Sequence, residues 1–289
     1  MRPFLAALLL CVFTAAPAQD RTFDSGGVRI RYVEAGAGTP VVLVHGFTGD
    51  LERTWIHTGI LAALEREYRV IALDLRGHGR SGKPHAPAAY DDIAEDVVRL
   101  LDHLGIARAH LVGYSLGGII AAKLVTVHPQ RFRSAVLAAA SHRRGRGPEI
   151  ERATEAAATE LTGGIPYRTL ILSTAPSDEL PPAEDAIRRV SAEILARNDP
   201  LAHAALYRAR RALVIADREL AASPVPILAI VGEHDPARPR VQAMRARCPS
   251  VQVVVIDGAT HSARDTRRGL AWRPEFVAHL RAFLAAHPG

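Results

Sequence analysis

Residues 111–118 read Leu-Val-Gly-Tyr-Ser-Leu-Gly-Gly, in which Gly113-x-Ser115-x-Gly117 joins an apolar run to a helix-like run. This spacing is typical of a nucleophile elbow, a tight strand-to-helix turn that exposes the hydroxyl of its serine. The turn leaves no room for side chains on either side of Ser115, which accounts for glycine at both positions. The stretch therefore predicts that Ser115 is a nucleophile.

The flanking residues supply the secondary structure that such an elbow needs. Residues 109–112 predict a short buried strand, and residues 116–128 carry apolar side chains at helical spacing up to Pro129. Glycine and serine are also common in ordinary turns, so the motif alone is weak. Other parts of the chain must support it.

An earlier strand ends in a loop suited to bind negative charge. Residues 28–34 alternate in polarity, residues 40–44 predict a buried strand, and His45-Gly46-Phe47-Thr48-Gly49 follows. Acyl transfer needs two donors aimed at the developing oxyanion. The backbone N–H groups of Leu116 and Phe47 are the candidates, and the alternative is that the loop is an ordinary turn.

Two further strands are predicted downstream, each followed by polar residues. Residues 225–231 lead to Asp235, and residues 251–256 lead to His261. A chain order of serine, acid and histidine, on loops after different strands, matches one known arrangement of a catalytic triad. We therefore expect His261 to be the general base for the serine, oriented by Asp235.

Two other carboxylates compete with Asp235 for the acid position. Glu233 is two residues nearer its strand and is expected to point away. Asp257 shares the loop of His261, which is too local to support the ring from the opposite side. These alternatives remain open at the level of sequence.

With these motifs, the chain resembles the α/β-hydrolase superfamily in its compact, capped bacterial form, over most of residues 28–285. The resemblance implies a mostly parallel central sheet with helices on both faces and a helical cap insertion. Residues 72–81 are similar to the family's loop after the third strand, which implies that Asp74 and Arg76 anchor that loop. The helix expected at 274–286 also suits the family, whereas the basic loop 262–273 is longer than expected.

The chain organisation follows from length and composition. A chain of 289 residues with 48% hydrophobic residues can bury one large core. After an apolar strand at 135–140, the pattern changes to mixed helical segments. We therefore expect one domain over 19–289, with a cap at about 142–222 that encloses a pocket for a small molecule.

The positive charge does not predict a nucleic-acid partner. The net charge is +6 and the pI about 9.8, yet the arginines are scattered and few aromatic residues accompany them. We interpret them as solvated surface, with attraction of an anionic substrate or lipid as an alternative.

The 13 histidines form no His-x-x-x-His pair and there is no cysteine cluster, so no metal is predicted, and no cofactor.

The first residues have the pattern of a secretory signal peptide. Met1-Arg2 is positive, residues 4–13 are apolar, and Ala16-Pro17-Ala18 is a small-residue cleavage site. We expect residues 1–18 to be removed and the protein to be exported to the periplasm or medium, without stable membrane insertion. Lipid attachment at Cys11 is the alternative.

Together these features predict a serine hydrolase that cleaves a small carboxylic ester, lactone or thioester through an acyl-serine intermediate. Serine at position 115, rather than aspartate, argues against dehalogenase and epoxide hydrolase chemistry. Peptidase, carbon-carbon bond hydrolase and cofactor-free perhydrolase activities remain alternatives. A ligand-binding protein with a silent hydrolase fold is the non-enzymatic alternative.

Overall fold

One eight-stranded sheet forms the centre of the computed structural model, which describes residues 19–145 and 147–288. The spatial order is β1-β2-β4-β3-β5-β6-β7-β8. The strands are β1 Gln19–Asp24, β2 Arg29–Ala35, β3 Pro40–Val44, β4 Arg69–Leu73, β5 Ala109–Tyr114, β6 Phe132–Ala138, β7 Ile227–Gly232 and β8 Gln252–Ile256. Strand β2 runs antiparallel to β1 and β4, and the pairings from β4 to β8 are parallel.

Helices follow most of the strands along the chain. The α-helices are α1 Ile60–Leu64, α2 Glu95–His103, α3 Leu116–Val127, α4 Pro148–Glu160, α5 Arg168–Ser173, α6 Glu184–Leu195, α7 Pro200–Ala209, α8 Asp217–Ala221, α9 Arg238–Arg247 and α10 Pro274–Ala285. Shorter turns of other helix types occur at Glu52–Ile56, Pro87–Tyr90, Pro129–Arg131, Arg210–Leu213 and Leu270–Trp272.

The core lies on both faces of the sheet. In β3, Val42 and Val44 belong to one hydrophobic cluster, whereas Val41 and Leu43 belong to the other, as the two-residue period of a strand requires. Helix α3 contributes to the first cluster and α10 to the second. Because both faces are covered, inner strands such as β3 and β7 are apolar along their whole length. The predicted fold class is confirmed.

Several strands differ from the sequence prediction, and β6, for example, spans Phe132–Ala138 rather than residues 135–140. Strand β7 begins at Ile227 rather than at residue 225, since Pro224 and Pro226 flank Val225 and proline cannot donate a ladder hydrogen bond. Strand β1 was not predicted. It is an edge strand whose residues 20–24 are exposed except Phe23, so it has no clear pattern of burial.

The segment between β6 and β7 carries helices α4 to α8, within the range predicted for the cap. Its buried side chains, among them Tyr167, Ile194 and Leu206, join the first core cluster. The definition of this segment as a separate cap remains a prediction.

Residues 1–18, with the expected signal peptide and Cys11, lie outside the described residues. No helix in the described ranges has the length and apolarity needed to cross a bilayer.

Candidate active site

Ser115 lies between β5 and α3 in a strained backbone conformation. Its φ of 51° and ψ of −108° are unusual for a residue with a side chain. The sheet stabilises this conformation, because the Ser115 N–H donates a hydrogen bond to the carbonyl of Ala138 on β6 across 2.8 Å. The turn has the strand-elbow-helix form that the sequence predicts.

The glycines of the motif are required by close backbone contacts. A Cβ atom at Gly113 would collide with the backbone of Gly117, and one at Gly117 would collide with the carbonyl of Val44 at the end of β3. Neither glycine has a positive φ, so space rather than conformational freedom selects glycine here.

His261 connects the serine to a carboxylate. Its Nε2 lies 3.0 Å from Ser115 Oγ, and its Nδ1 lies 2.9 Å from Asp235 Oδ1 and 3.0 Å from Oδ2. Asp235 is 1% exposed, and its Oδ1 also accepts a hydrogen bond from the Ala237 N–H at 2.7 Å. The structure thus brings the three predicted residues into one hydrogen-bonded chain.

The other two carboxylates lie elsewhere. Glu233 accepts a hydrogen bond from the Gly258 N–H at 2.9 Å and approaches His234 at 3.4 Å. Asp257 is exposed in the turn after β8. Neither has a hydrogen bond or ion pair with His261 in the part of the chain described. Of the three carboxylates, Asp235 is the one that contacts His261 among the described residues.

The predicted oxyanion donors lie beside the serine. Leu116 is the first residue of α3, whose N-terminal dipole favours negative charge. Gly46 lies against Ser115, since a Cβ at Gly46 would be 3.2 Å from the serine Cβ, and Phe47 follows directly. Among the described residues, neither the Phe47 N–H nor the Leu116 N–H donates to a protein acceptor. Both donors are therefore available for a ligand.

The loop after β4 holds this region in place, as the resemblance implies. Asp74 Oδ1 accepts from the Leu51 N–H at 2.8 Å, and Arg76 Nε donates to Asp96 at 2.7 Å. His78, to which no role was assigned from sequence, lies with Nε2 2.5 Å from the carbonyl oxygen of Phe47. It therefore positions the peptide next to the predicted oxyanion donor.

Three buried histidines pack behind Phe47. The ring of His203 lies 4.5 Å from that of Phe47 and 4.4 Å from that of His78, and His78 lies 5.2 Å from His45. Burial lowers the pKa of His78 to about 3 and lowers those of His45 and His203. All three rings are therefore neutral at pH 7.

A cavity of about 330 Å³ opens at Ser115. Its walls come from the loop after β3, from α5 and α6 and from the His261 loop. They include Phe47, Leu170, Ile171 and Ile194. The segment predicted as a cap thus supplies much of the apolar wall, although no binding residue in it was identified from sequence.

The long loop 262–273 contacts that same segment. Arg268 donates to Asp178 across 2.7 Å and to Glu179 across 2.6 Å, and the Ser177 N–H donates to the carbonyl of His234 across 3.0 Å. The chain after α5 is therefore attached to the loops that carry both His261 and Asp235.

Within residues 19–145 and 147–288, no group of three or more histidine, cysteine, aspartate or glutamate side chains could hold a metal ion. The expected absence of a metal and a cofactor stays a prediction.

Comparison with known proteins gives consistent family evidence. The family model described as the alpha/beta hydrolase fold matches residues 39–267. A thermophilic esterase from Thermogutta terrifontis superposes with a TM-score of 0.72 at 26% identity, covering 95% of this chain and 100% of that one.

Curated relatives match over shorter stretches. The chain is 48% identical over 127 residues to a dihydrolipoyllysine-residue acetyltransferase component of an acetoin cleaving system from Pseudomonas putida, covering 43% of this chain and 33% of the relative. It is 42% identical over 116 residues to epoxide hydrolase A of Mycobacterium tuberculosis, covering 39% of this chain and 35% of that relative. The matches thus span about a third of each relative. The family model covers most of the chain, and the protein belongs to the alpha/beta hydrolase fold family.

Proposed function

We propose that this protein is a serine hydrolase that cleaves a small carboxylic ester through an acyl-serine intermediate. The observation that carries the proposal is the hydrogen-bonded chain from Ser115 Oγ to His261 Nε2 at 3.0 Å and from His261 Nδ1 to Asp235 at 2.9 Å. A nucleophile, a base and a buried carboxylate in this order form a catalytic triad.

The reaction follows from this geometry. His261 takes the proton of Ser115 as the oxygen attacks the ester carbonyl, and Asp235 stabilises the imidazolium. The N–H groups of Phe47 and Leu116 stabilise the oxyanion. His261 then protonates the leaving alcohol, and a water activated by the same ring hydrolyses the acyl-serine.

The cavity supports a small substrate. A volume of about 330 Å³ lies at the lower end of the range for small-molecule sites. Its wall is mainly apolar. The side chain of Phe47, whose own N–H group is a proposed oxyanion donor, lies on the side that we assign to the acyl group. We therefore expect short to medium acyl chains, and the lactone and thioester alternatives fit the same wall.

The names of similar proteins, an esterase and an epoxide hydrolase, support a hydrolase. Serine at the nucleophile position favours ester chemistry over epoxide chemistry, which in this superfamily passes through an ester to a carboxylate.

Covalent labelling tests the proposal. Wild-type protein should react with a fluorophosphonate probe and hydrolyse p-nitrophenyl butyrate, whereas Ser115→Ala should lose labelling and several orders of magnitude of turnover. Ser250→Ala is the matched control, because Ser250 is exposed in the turn before β8. It should label and turn over like wild type.

Three results would contradict the proposal. Labelling that persists in Ser115→Ala would place the nucleophile elsewhere. A wild-type protein that neither labels nor hydrolyses any member of a panel of esters, lactones, aminoacyl amides and diketones would favour the silent binding protein. Faster turnover of amides or diketones than of esters would favour the peptidase or carbon-carbon hydrolase alternative.

A chain-length series tests the substrate size. With p-nitrophenyl esters below their micellar concentrations, we expect maximal kcat/KM at short to medium chains, and we expect Phe47→Ala to move the optimum to longer chains. A maximum at long chains that rises above the critical micelle concentration would indicate a lipase instead.

A further inference from the structure

A second cavity adjoins the first at the catalytic serine. It measures about 620 Å³ and shares Ser115 and His261 with the smaller cavity. Its other walls include the chain after β6 (residues 139–144), Tyr207 at the end of α7, and residues of α3, α5 and α9. A substrate whose ester lies at Ser115 can therefore extend into this space.

The charged side chains of this wall all have one sign. Among the described residues that line it there is no aspartate and no glutamate. The lining arginines are Arg143, Arg144, Arg210, Arg240 and Arg247. A cleft lined by one sign of charge concentrates the field within it.

Part of this charge is balanced from outside the wall. Asp217 lies 3.1 Å from Arg144 and 3.6 Å from Arg247, and it also contacts His142 at 2.8 Å. Arg240 is exposed to solvent. These side chains fit the solvated or paired surface that the sequence predicts.

Arg143 and Arg210 do not fit that description. Both are half-buried, and their Nε atoms are buried without a hydrogen-bond partner. In the described part of the chain, neither guanidinium has an ion pair or a side-chain hydrogen bond. The contact of Arg210 is with the ring of Tyr207, whose centroid lies 4.8 Å from the guanidinium carbon.

Two neighbouring positive charges without a carboxylate are costly in the folded protein. Burial, followed by the positive charge of Arg210, lowers the pKa of Arg143 to about 10, so its guanidinium remains charged at pH 7. The backbone of Arg143 is already held by the Ile215 N–H at 3.1 Å, and the side chain is not needed for that contact. A ligand anion would provide the missing partner.

We infer that the substrate of this enzyme carries an anionic group, a carboxylate or a phosphate, which Arg143 and Arg210 bind while the ester lies at Ser115. The inference rests on the proposed function and narrows its substrate class. A planar guanidinium can donate two parallel hydrogen bonds to such oxyanions, and two guanidiniums can enclose one.

Matched pairs of esters test the charge preference on both sides of the ester bond. On the acyl side, the p-nitrophenyl monoester of glutarate is compared with that of glutaramic acid. On the alcohol side, 4-acetoxybenzoate is compared with 4-acetoxybenzamide. We expect wild type to favour the charged member of at least one pair by tenfold or more in kcat/KM. Inhibition by glutarate and by inorganic phosphate, each against p-nitrophenyl butyrate, then distinguishes the two anions.

Charge removal locates the site. Arg143→Met and Arg210→Met keep side-chain volume and should each lower the charged-to-neutral ratio of kcat/KM at least tenfold, mainly through KM. Arg211→Met is the control, because Arg211 is exposed and does not line the cavity. It should keep the wild-type ratio.

The outcomes separate this inference from the proposed function. Ester hydrolysis that depends on Ser115 but shows equal rates for charged and neutral esters, or a ratio unchanged in both variants, overturns the anion site alone. If no ester is hydrolysed, glutarate binding to the Ser115→Ala protein is measured by thermal shift against glutaramide. A rise in melting temperature with glutarate that Arg143→Met abolishes supports the site. The absence of such a rise rejects the site.

Discussion

The Tyr114 hydroxyl donates a hydrogen bond to the backbone carbonyl of His261 across 2.9 Å. Tyr114 directly precedes Ser115, so the residue beside the nucleophile also holds the loop of the base. Burial, followed by the negative charge of Asp235, raises the pKa of Tyr114 well above its usual value. The hydroxyl therefore keeps the proton that it donates at neutral pH.

Removal of this hydroxyl should disturb the base without removing it. We expect Tyr114→Phe to lower kcat about tenfold with little change in KM, and to lower the free energy of unfolding by about 1 kcal/mol, as for a typical buried hydrogen bond. Tyr32→Phe is the control, because Tyr32 is 3% exposed in β2 and its hydroxyl lies 3.4 Å from His103, away from the site. Steady-state kinetics and urea unfolding measure both effects. An equal loss of kcat in both variants would mean that general destabilisation, not the His261 loop, is responsible.

A carboxylate series tests which acid supports His261. Asp235→Asn should lower kcat by about four orders of magnitude, as loss of the triad acid does elsewhere. Asp257→Asn should keep most activity because Asp257 is exposed. Glu233→Gln should also keep it, since the amide oxygen can still accept from Gly258. An active Asp235→Asn enzyme together with an inactive Asp257→Asn enzyme would reverse the assignment.

Sequence alone predicted the parts of the site that local backbone chemistry determines. The elbow around Ser115 requires glycines at fixed spacing, and buried strands lead directly to Asp235 and His261. Those features are local, and the structure brings them together. The choice between Asp235 and its competitors needed the direction of each side chain.

The unpaired arginines could not be found from sequence, because pairing is a property of space. Arg143 and Arg144 are adjacent in the chain, yet of these two only Arg144 forms an ion pair with Asp217 among the described residues. Arg210 is 67 positions further on, and only folding places it against the same cavity. The positioning contact of His78 with Phe47 is long-range in the same way.

The elbow glycine offers a test of packing. We expect Gly117→Ala to lower the free energy of unfolding by about 3 kcal/mol or more, because the new methyl group would collide with the Val44 carbonyl in a core that cannot relax freely. Thermal unfolding should show a drop of several degrees. Gly163→Ala is the matched control, since Gly163 is not at positive φ and its nearest neighbour, Thr159 O, would be 3.9 Å away. Equal melting temperatures for the two variants would contradict the steric argument.

The buried histidines should make the fold sensitive to acid. In the folded protein, burial lowers the pKa of His78 to about 3 and lowers those of His45 and His203, whereas in the unfolded chain a histidine takes up a proton near pH 6.5. The unfolded state therefore binds more protons below about pH 6.5, and stability must fall as the pH falls from there towards the folded-state values.

Each such histidine contributes a slope of about 1.4 kcal/mol per pH unit within this window. Urea unfolding between pH 7.5 and 5 should therefore show a steep loss of stability below pH 6. We expect His203→Phe to reduce the slope by about one histidine's share, while loss of the 2.9 Å contact between His203 and Tyr167 lowers stability by a constant amount at every pH. His279→Gln, at an exposed position of α10, should keep the wild-type slope. If His203→Phe also kept the wild-type slope, His203 would have to titrate equally in the folded and unfolded states. The conclusion that the buried histidines behind Phe47 are neutral would then be wrong.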